Sequence, residues 1–251
     1  MRSNLVAANW KMCGDTASIG KLVVELKTSL PAEPGLDIAV FPPSVYLAHV
    51  LAGLYGSPVA VGAQNVCDRP SDGAFTGEVS ASMLADVGCR YVIVGHSERR
   101  AIYAETSEQV AQKAKQVLEQ GLVPLVCVGE TETQRDDGAT LEVISAQLNP
   151  IFSTLSVQQL QLIVVAYEPV WAIGTGKTAS PGQAQEVHAF IRALFAKKDE
   201  QLAKGLRILY GGSVKAANAG ELFAQADIDG GLVGGASLDA QEFSAICRAA
   251  E

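Results

Sequence analysis

The chain has 251 residues, 48% of them hydrophobic and 18% charged, which is enough apolar material for an extensive core in one large domain or two small ones. Its formal net charge of −8 excludes a field that would gather polyanions, so neither nucleic acid nor an anionic membrane surface is an expected partner. No run reaches the roughly 18 apolar residues of a membrane span.

Met1-Arg2-Ser3-Asn4 enters an apolar run over residues 4–10 without the apolar core of a signal peptide, so a cytoplasmic location is expected. That run ends in Asn9-Trp10-Lys11. Ile19, Leu22, Val23, Leu26 and Leu30 then recur at helical spacing across residues 16–30. Leu36–Phe41 reads as a second strand stopped by Pro42-Pro43, and Ser44 is placed to cap a helix over 45–54. A third strand, 59–63, leads into Gln64-Asn65. The polar stretch that follows, 66–76, is too long for a simple turn and is expected to have a task of its own. A short helix over 78–87 and a fourth strand over 90–94 deliver Gly95-His96-Ser97-Glu98.

Helix 107–120, closed by Gly121, precedes strand 122–128, and helix 140–155 precedes strand 162–166. Ser180 caps the next helix, with Pro181 at its first position and the body running over 182–198. Strand 207–209 ends at Tyr210-Gly211-Gly212-Ser213 and is followed by helix 215–224. Strand 229–233 ends at Gly234-Gly235, and helix 239–250 is the last element.

Eight strand–helix units of about 31 residues each match the size of a βα repeat. Short strands buried on both faces, each followed by an amphipathic helix, close most simply into an α/β fold of the (β/α)8 parallel-barrel type, a single domain spanning residues 1–251. A doubly wound open sheet is the alternative. Cys13, Cys67, Cys89, Cys127 and Cys247 are odd in number, scattered, and lack a CxxC pair. Reduced thiols suit that pattern better than disulfides or zinc.

Residues 164–178 read VVAYEPVWAIGTGKT. An uninterrupted apolar strand delivers one carboxylate, Glu168, where Pro169 removes a backbone donor and ends the strand. The loop beyond is apolar in its middle and carries Gly174 and Gly176, the composition of a lid that is stiff in its body and bends at its ends. A carboxylate beside a water-excluding lid suggests a general base, the alternative being a salt-bridged Glu before an ordinary loop. In a parallel barrel the chemistry sits at the C-terminal ends of the strands. Asn9 and Lys11 fall there after the first strand, His96 and Glu98 after the fourth, and Glu168 after the sixth. Lys11 supplies the local positive charge an acidic protein needs for an anionic substrate. His96 can polarise a carbonyl or shuttle a proton. Glu98 and Arg99 stand close behind it as an orienting shell, and Glu98 is counted with the catalytic set. The pairs Gly211-Gly212 and Gly234-Gly235 follow the two strands whose loops often bind phosphate in this fold, where glycine lets the backbone approach an anion. His49 and His188 fall on helices and are read as structural or solvated.

Asn9-Trp10-Lys11-Met12, Gly95-His96-Ser97-Glu98-Arg99-Arg100 and the segment from Ala166 to Thr178 resemble the triosephosphate isomerase family. So do Gly73-Ala74-Phe75-Thr76-Gly77-Glu78, Cys127-Val128-Gly129-Glu130 and Tyr210-Gly211-Gly212-Ser213-Val214, and the likeness runs nearly end to end. It implies interconversion of dihydroxyacetone phosphate and glyceraldehyde 3-phosphate through an enediol, with Glu168 as the base. His96 is then the neutral electrophile and proton relay, a division of labour for which this family is the standard illustration. Lys11 and Asn9 offset developing charge. The Gly174 N–H, Ser213 and the backbone of Gly234 and Gly235 bind phosphate under the lid. No metal or organic cofactor is implied. The resemblance also implies a homodimer through the loop from Gln64 to Glu78, with Thr76 near Lys11 and Asn9 of the partner subunit. Two departures bear on that contact: Cys13 stands where the family commonly has Asn, and residues 66–72 match loosely. On fold alone, another phosphate-handling barrel enzyme or a catalytically silent binding module stays open. Retention of Glu168, Gly174 and Gly176 favours the isomerase.

Overall fold

A computed structural model describes residues 2–30 and 35–251. Eight parallel strands follow one another around a closed barrel: β1 (Asn4–Asn9), β2 (Leu36–Phe41), β3 (Ala60–Ala63), β4 (Tyr91–Val94), β5 (Val123–Val128), β6 (Val164–Tyr167), β7 (Arg207–Tyr210) and β8 (Gly230–Val233). Closure comes from β1 pairing with β8, Leu5 opposite Gly230 and Ala8 opposite Val233, which sets aside the open sheet. Gly230 sits at φ +114 with Leu5 O only 2.1 Å from where a Cβ would stand, so the seam requires glycine there.

Strand side chains alternate between two buried layers, which is why each strand is apolar throughout. Leu5, Ala7, Tyr91, Ile93, Leu125, Cys127, Val164 and Ala166 belong to the layer that fills the barrel. Val6, Ala8, Val92, Val94, Val126 and Val165 belong to the layer packed against the helices. Phe41 and Tyr91 meet inside with ring centroids 6.4 Å apart. Gly62 makes room for them, since a Cβ there would stand 2.4 Å from the Phe41 ring. Truncating Phe41 to Ala would cost about 3–5 kcal/mol.

The inward series ends at or just past the strand ends: 5, 7 to Asn9; 91, 93 to Gly95; 125, 127 to Gly129; 164, 166 to Glu168; 209 to Gly211; and 232 to Gly234. Four of these six positions are glycine, which leaves space above the barrel into which Asn9 and Glu168 project. The alternation that builds the core therefore also builds the floor of the site.

The helices bury the expected stripes, with Ile19, Leu22, Val23 and Leu26 inward on Thr16–Ser29. Ser180 and Gln183 form a reciprocal capping box at Pro181–Ala196. Gly121 takes φ +73 just after the end of Ser107–Glu119. Ser44 differs from expectation. It opens a 3-10 turn, Ser44–Tyr46, and makes no cap hydrogen bond, because Pro43 enters too abruptly for the α-helix, which starts at Leu47. Four helices of seven residues or fewer are too short to show a hydrophobic period in the sequence: Ser97–Tyr103, Glu132–Asp136, Val157–Leu160 and Glu200–Gly205. All five cysteines are free thiols, Cys13 exposed and the other four buried. Among the described residues no helix is long and apolar enough to cross a membrane.

Candidate active site

Glu168 is 1% exposed, at the end of β6. Its neighbours explain the glycines around it. A Cβ on Gly129 would fall 1.7 Å from the Glu168 carbonyl oxygen, and one on Gly211 would fall 2.9 Å from Glu168 Cγ. Gly211, expected from sequence to belong to an anion loop, forms a close-packed wall of the carboxylate. Ser97 N–H donates to Glu168 Oε2 at 2.8 Å, and His96 Nε2 lies 2.9 Å from Oε1. Burial pushes the Glu168 carboxyl up, but the His96 ring and the Ser97 N–H together bring it below the ordinary carboxylate value.

His96 is the N-cap of helix Ser97–Tyr103, and its Nδ1 accepts from the Glu98 N–H at 3.2 Å. A nitrogen that accepts cannot carry the proton, so the neutral ring holds it at Nε2, facing Glu168. Burial works to lower the His96 pKa, while the Glu168 carboxylate, and more weakly that of Glu98, raise it above the ordinary imidazole value in this contact. The turn that presents the ring is tied on both sides. Glu105 Oε1 accepts from the Gly95 N–H at 3.1 Å, and Arg100 Nε donates to the Gly95 carbonyl at 2.8 Å. Glu105 is itself held by Arg99 at 2.6 Å and Lys113 at 3.0 Å. Sequence reading missed this brace, although Lys113 offered a signal: a charge on the same helix face as buried Val110, Ala114 and Val117.

Lys11 is one of two described non-glycine residues with positive φ, at +51. Such a conformation costs about 1–2 kcal/mol and persists only where surrounding contacts impose it. Asn9 Oδ1 accepts the Lys11 N–H at 3.0 Å. The ammonium pairs with Glu98 Oε1 at 2.5 Å. Glu98 therefore touches both neighbours, its N–H on His96 and its carboxylate on Lys11.

A cavity of 390 Å³ collects Asn9, Lys11, His96, Glu168, Gly174, Ser213, Gly234 and Gly235 on one wall set. Ile173 lines it from the loop expected to cover the site, and Val214, Lys215, Leu232 and Ala236 line it without having been singled out from sequence. The N–H groups of Gly212, Ser213 and Gly234 meet no protein acceptor among the described residues. Converging free donors of this kind suit an anion. Glu98 lies outside this cavity and lines an adjoining hollow of 450 Å³, which shares Asn9, Lys11 and His96 and extends to Gln64, Glu78 and Tyr103.

The segment after β6, expected from sequence to act as a lid, begins with a 3-10 turn, Val170–Ala172, and bends at Gly174 (φ +69) and Gly176 (φ +81). Its body is anchored to the segment after β5. Trp171 Nε1 donates to Glu130 Oε1 at 2.8 Å, an oxygen that also accepts from the Tyr167 hydroxyl at 3.0 Å. The Arg135 guanidinium lies 4.5 Å over the Trp171 ring, and Lys177 pairs with Glu132. His49 is exposed, and His188 is fully buried between Tyr167 and Tyr210. Among the described residues no three His, Cys, Asp or Glu side chains are grouped to hold a metal ion.

The sequence model of a family described as triosephosphate isomerase matches residues 4–250. A protein named triosephosphate isomerase from Pseudomonas aeruginosa is 56% identical over 250 residues, covering 100% of this chain and 99% of the relative. Proteins of the same name from Ectopseudomonas mendocina and Hydrogenovibrio crunogenus are 57% identical over 251 residues and 54% over 250, with the same coverage.

Proposed function

The chain belongs to the triosephosphate isomerase family and is an isomerase, and on that premise we propose how its residues interconvert dihydroxyacetone phosphate and glyceraldehyde 3-phosphate. The observation that carries the reading is the contact of His96 Nε2 with Glu168 Oε1 at 2.9 Å, on the floor of the cavity that Lys11 overlooks. The whole chain, residues 1–251, works as one catalytic domain.

Glu168 takes a proton from the carbon next to the carbonyl, and the electron pair left behind moves onto the carbonyl oxygen to give the enediolate. His96 donates its Nε2 proton in a hydrogen bond to that oxygen and relays it between the two oxygens. Glu168 then returns its proton to the other carbon, so atoms and charge balance. Lys11, with Asn9, stabilises the charge that develops on the substrate.

The pKa shifts point the same way. Turning toward substrate, Glu168 leaves the Ser97 N–H and the His96 ring, which hold its pKa down; burial, which raises it, remains. The carboxylate becomes more basic at the moment it must accept a proton. His96 loses the neighbour that raised its pKa and keeps the burial that lowers it, so it works as a neutral donor. Residues 169–179 close over the substrate. The Gly174 N–H, Ser213 and the backbone of Gly234 and Gly235 hold the phosphate in plane and exclude water, which suppresses loss of phosphate from the enediolate.

The working unit is a homodimer. Met12 is 95%, Ile102 69% and Tyr103 67% exposed around the 450 Å³ hollow, a concentration of bare apolar surface that a second copy would cover. The occupant is the loop from Gln64 to Glu78 of that copy, with Thr76 at its tip and Cys13 near the contact. The test is direct. Glyceraldehyde 3-phosphate is supplied to the purified chain, and dihydroxyacetone phosphate is read by NADH oxidation through glycerol phosphate dehydrogenase. Absence of turnover in the folded chain refutes the reading.

A further inference from the structure

The positive φ of Lys11 is imposed from two sides. Asn9 holds its N–H. Its carbonyl is held from a different strand: Gln64 Nε2 lies 2.8 Å from Lys11 O and 2.8 Å from Phe41 O. Both neighbours are carbonyl oxygens, which only accept, so the amide nitrogen must face them and both its protons are used. Gln64 stands one step beyond Ala60 and Gly62 on the inward series of β3, which is why its side chain reaches over the barrel rim toward β2 and β1. Phe41 O also accepts from the Trp10 N–H at 3.1 Å, so the end of β2 and the Gln64 amide together hold the peptide groups on either side of the Trp10-Lys11 pair. Among the described residues nothing else donates to the Lys11 carbonyl. Released from it, Lys11 would relax to negative φ, and its Cα–Cβ bond would turn away from the cavity.

We propose that Gln64 is a positioning residue for Lys11: by donating both amide protons to Lys11 O and Phe41 O it holds the lysine in its left-handed conformation and so keeps the ammonium over the substrate. This rests on the reading of Lys11 as the substrate-facing cation.

A double-mutant cycle on ligand affinity tests it. Phosphoglycolate, a two-carbon phosphate-bearing carboxylate that resembles the enediolate in charge, is titrated calorimetrically against the parent, Gln64→Met, Lys11→Met and the double variant. Sedimentation at the same concentration confirms that oligomeric state is unchanged. If Gln64 acts through Lys11, Gln64→Met weakens binding by about tenfold or more in the parent and by less than about twofold once Lys11 is gone. A crystal structure of Gln64→Met then shows Lys11 at negative φ. Equal losses in both backgrounds, no loss in the parent, or Lys11 still at positive φ would overturn the proposal. Lys11→Met leaving affinity intact sinks instead the reading of Lys11 on which it stands. Gln64→Glu, isosteric and without amide protons, enters the same cycle if Gln64→Met fails to fold.

Discussion

His96 Nε2 and Glu168 Oε1 lie 2.9 Å apart, and the Glu98 N–H on Nδ1 fixes the proton of the neutral ring on the nitrogen between them. Burial works against the charge, but His96 and the Ser97 N–H hold the carboxylate ionised, and in the mechanism proposed above that places the base against its partner before substrate arrives. Carboxyl-carbon NMR of the free protein is expected to place Glu168 below the ordinary carboxylate range. Saturation with phosphoglycolate is expected to raise it, because the lowering contacts are exchanged for an anion while burial persists. An unchanged value on binding would show that Glu168 does not leave these contacts.

Gly211→Ala is expected to harm catalysis more than stability. Its Cβ would stand 2.9 Å from Glu168 Cγ and 3.1 Å from the Tyr167 carbonyl, so the carboxylate shifts by a fraction of an ångström. A full ångström of misplacement can cost on the order of 10²-fold in rate, so a fall of roughly tenfold is expected here. The check is kcat in the coupled assay beside the melting temperature; a parental kcat would contradict the packing argument.

His188 makes stability depend on pH. Burial holds its pKa down at about 4, while an unfolded chain titrates near the ordinary 6.5. Between those values the unfolded state binds the extra proton, so stability is lost as pH falls from 6.5 toward 4. The loss amounts to roughly 3 kcal/mol. Buried Glu105, whose pKa is lowered by Lys113 and Arg99 against the opposing effect of burial, adds a further loss below its unfolded value. Denaturant titrations across pH 4–7 should show His188→Gln with a flatter acid limb than the parent. Parallel limbs would assign the acid loss elsewhere.

Periodicity made the barrel legible in the sequence, because eight strands with both faces buried and eight amphipathic helices need only local pattern to be seen. Asn9, Lys11, His96 and Glu168 stand out as candidates for a different reason: they are polar residues at the ends of apolar strands. The supports do not. Glu105, Lys113 and Arg100 brace the Gly95–His96 turn through contacts between elements. Glu130 reaches Trp171 across 41 residues. Ser97–Tyr103 escaped as a helix because it has seven residues, no apolar stripe, and a histidine as its cap. Ser44 misled because a good capping residue was set against a proline turn that fits a 3-10 start.

Dimerisation is expected at micromolar concentration. Met12, Ile102 and Tyr103 are too exposed to be left in water together, and Met12→Glu should split the particle with a large loss of activity. Sedimentation of the parent as a fully active monomer would remove the interface reading and leave the chemistry untouched.

Glu168→Gln keeps the shape of the side chain and removes its ability to accept a proton. The measurement is isomerisation by this variant in the coupled assay, with melting temperature and phosphoglycolate titration run alongside to confirm a folded, ligand-competent site. A fall in kcat of at least roughly 10²- to 10⁴-fold is expected, the range that positioned acid–base groups supply; turnover within a factor of two of the parent would rule Glu168 out as the base.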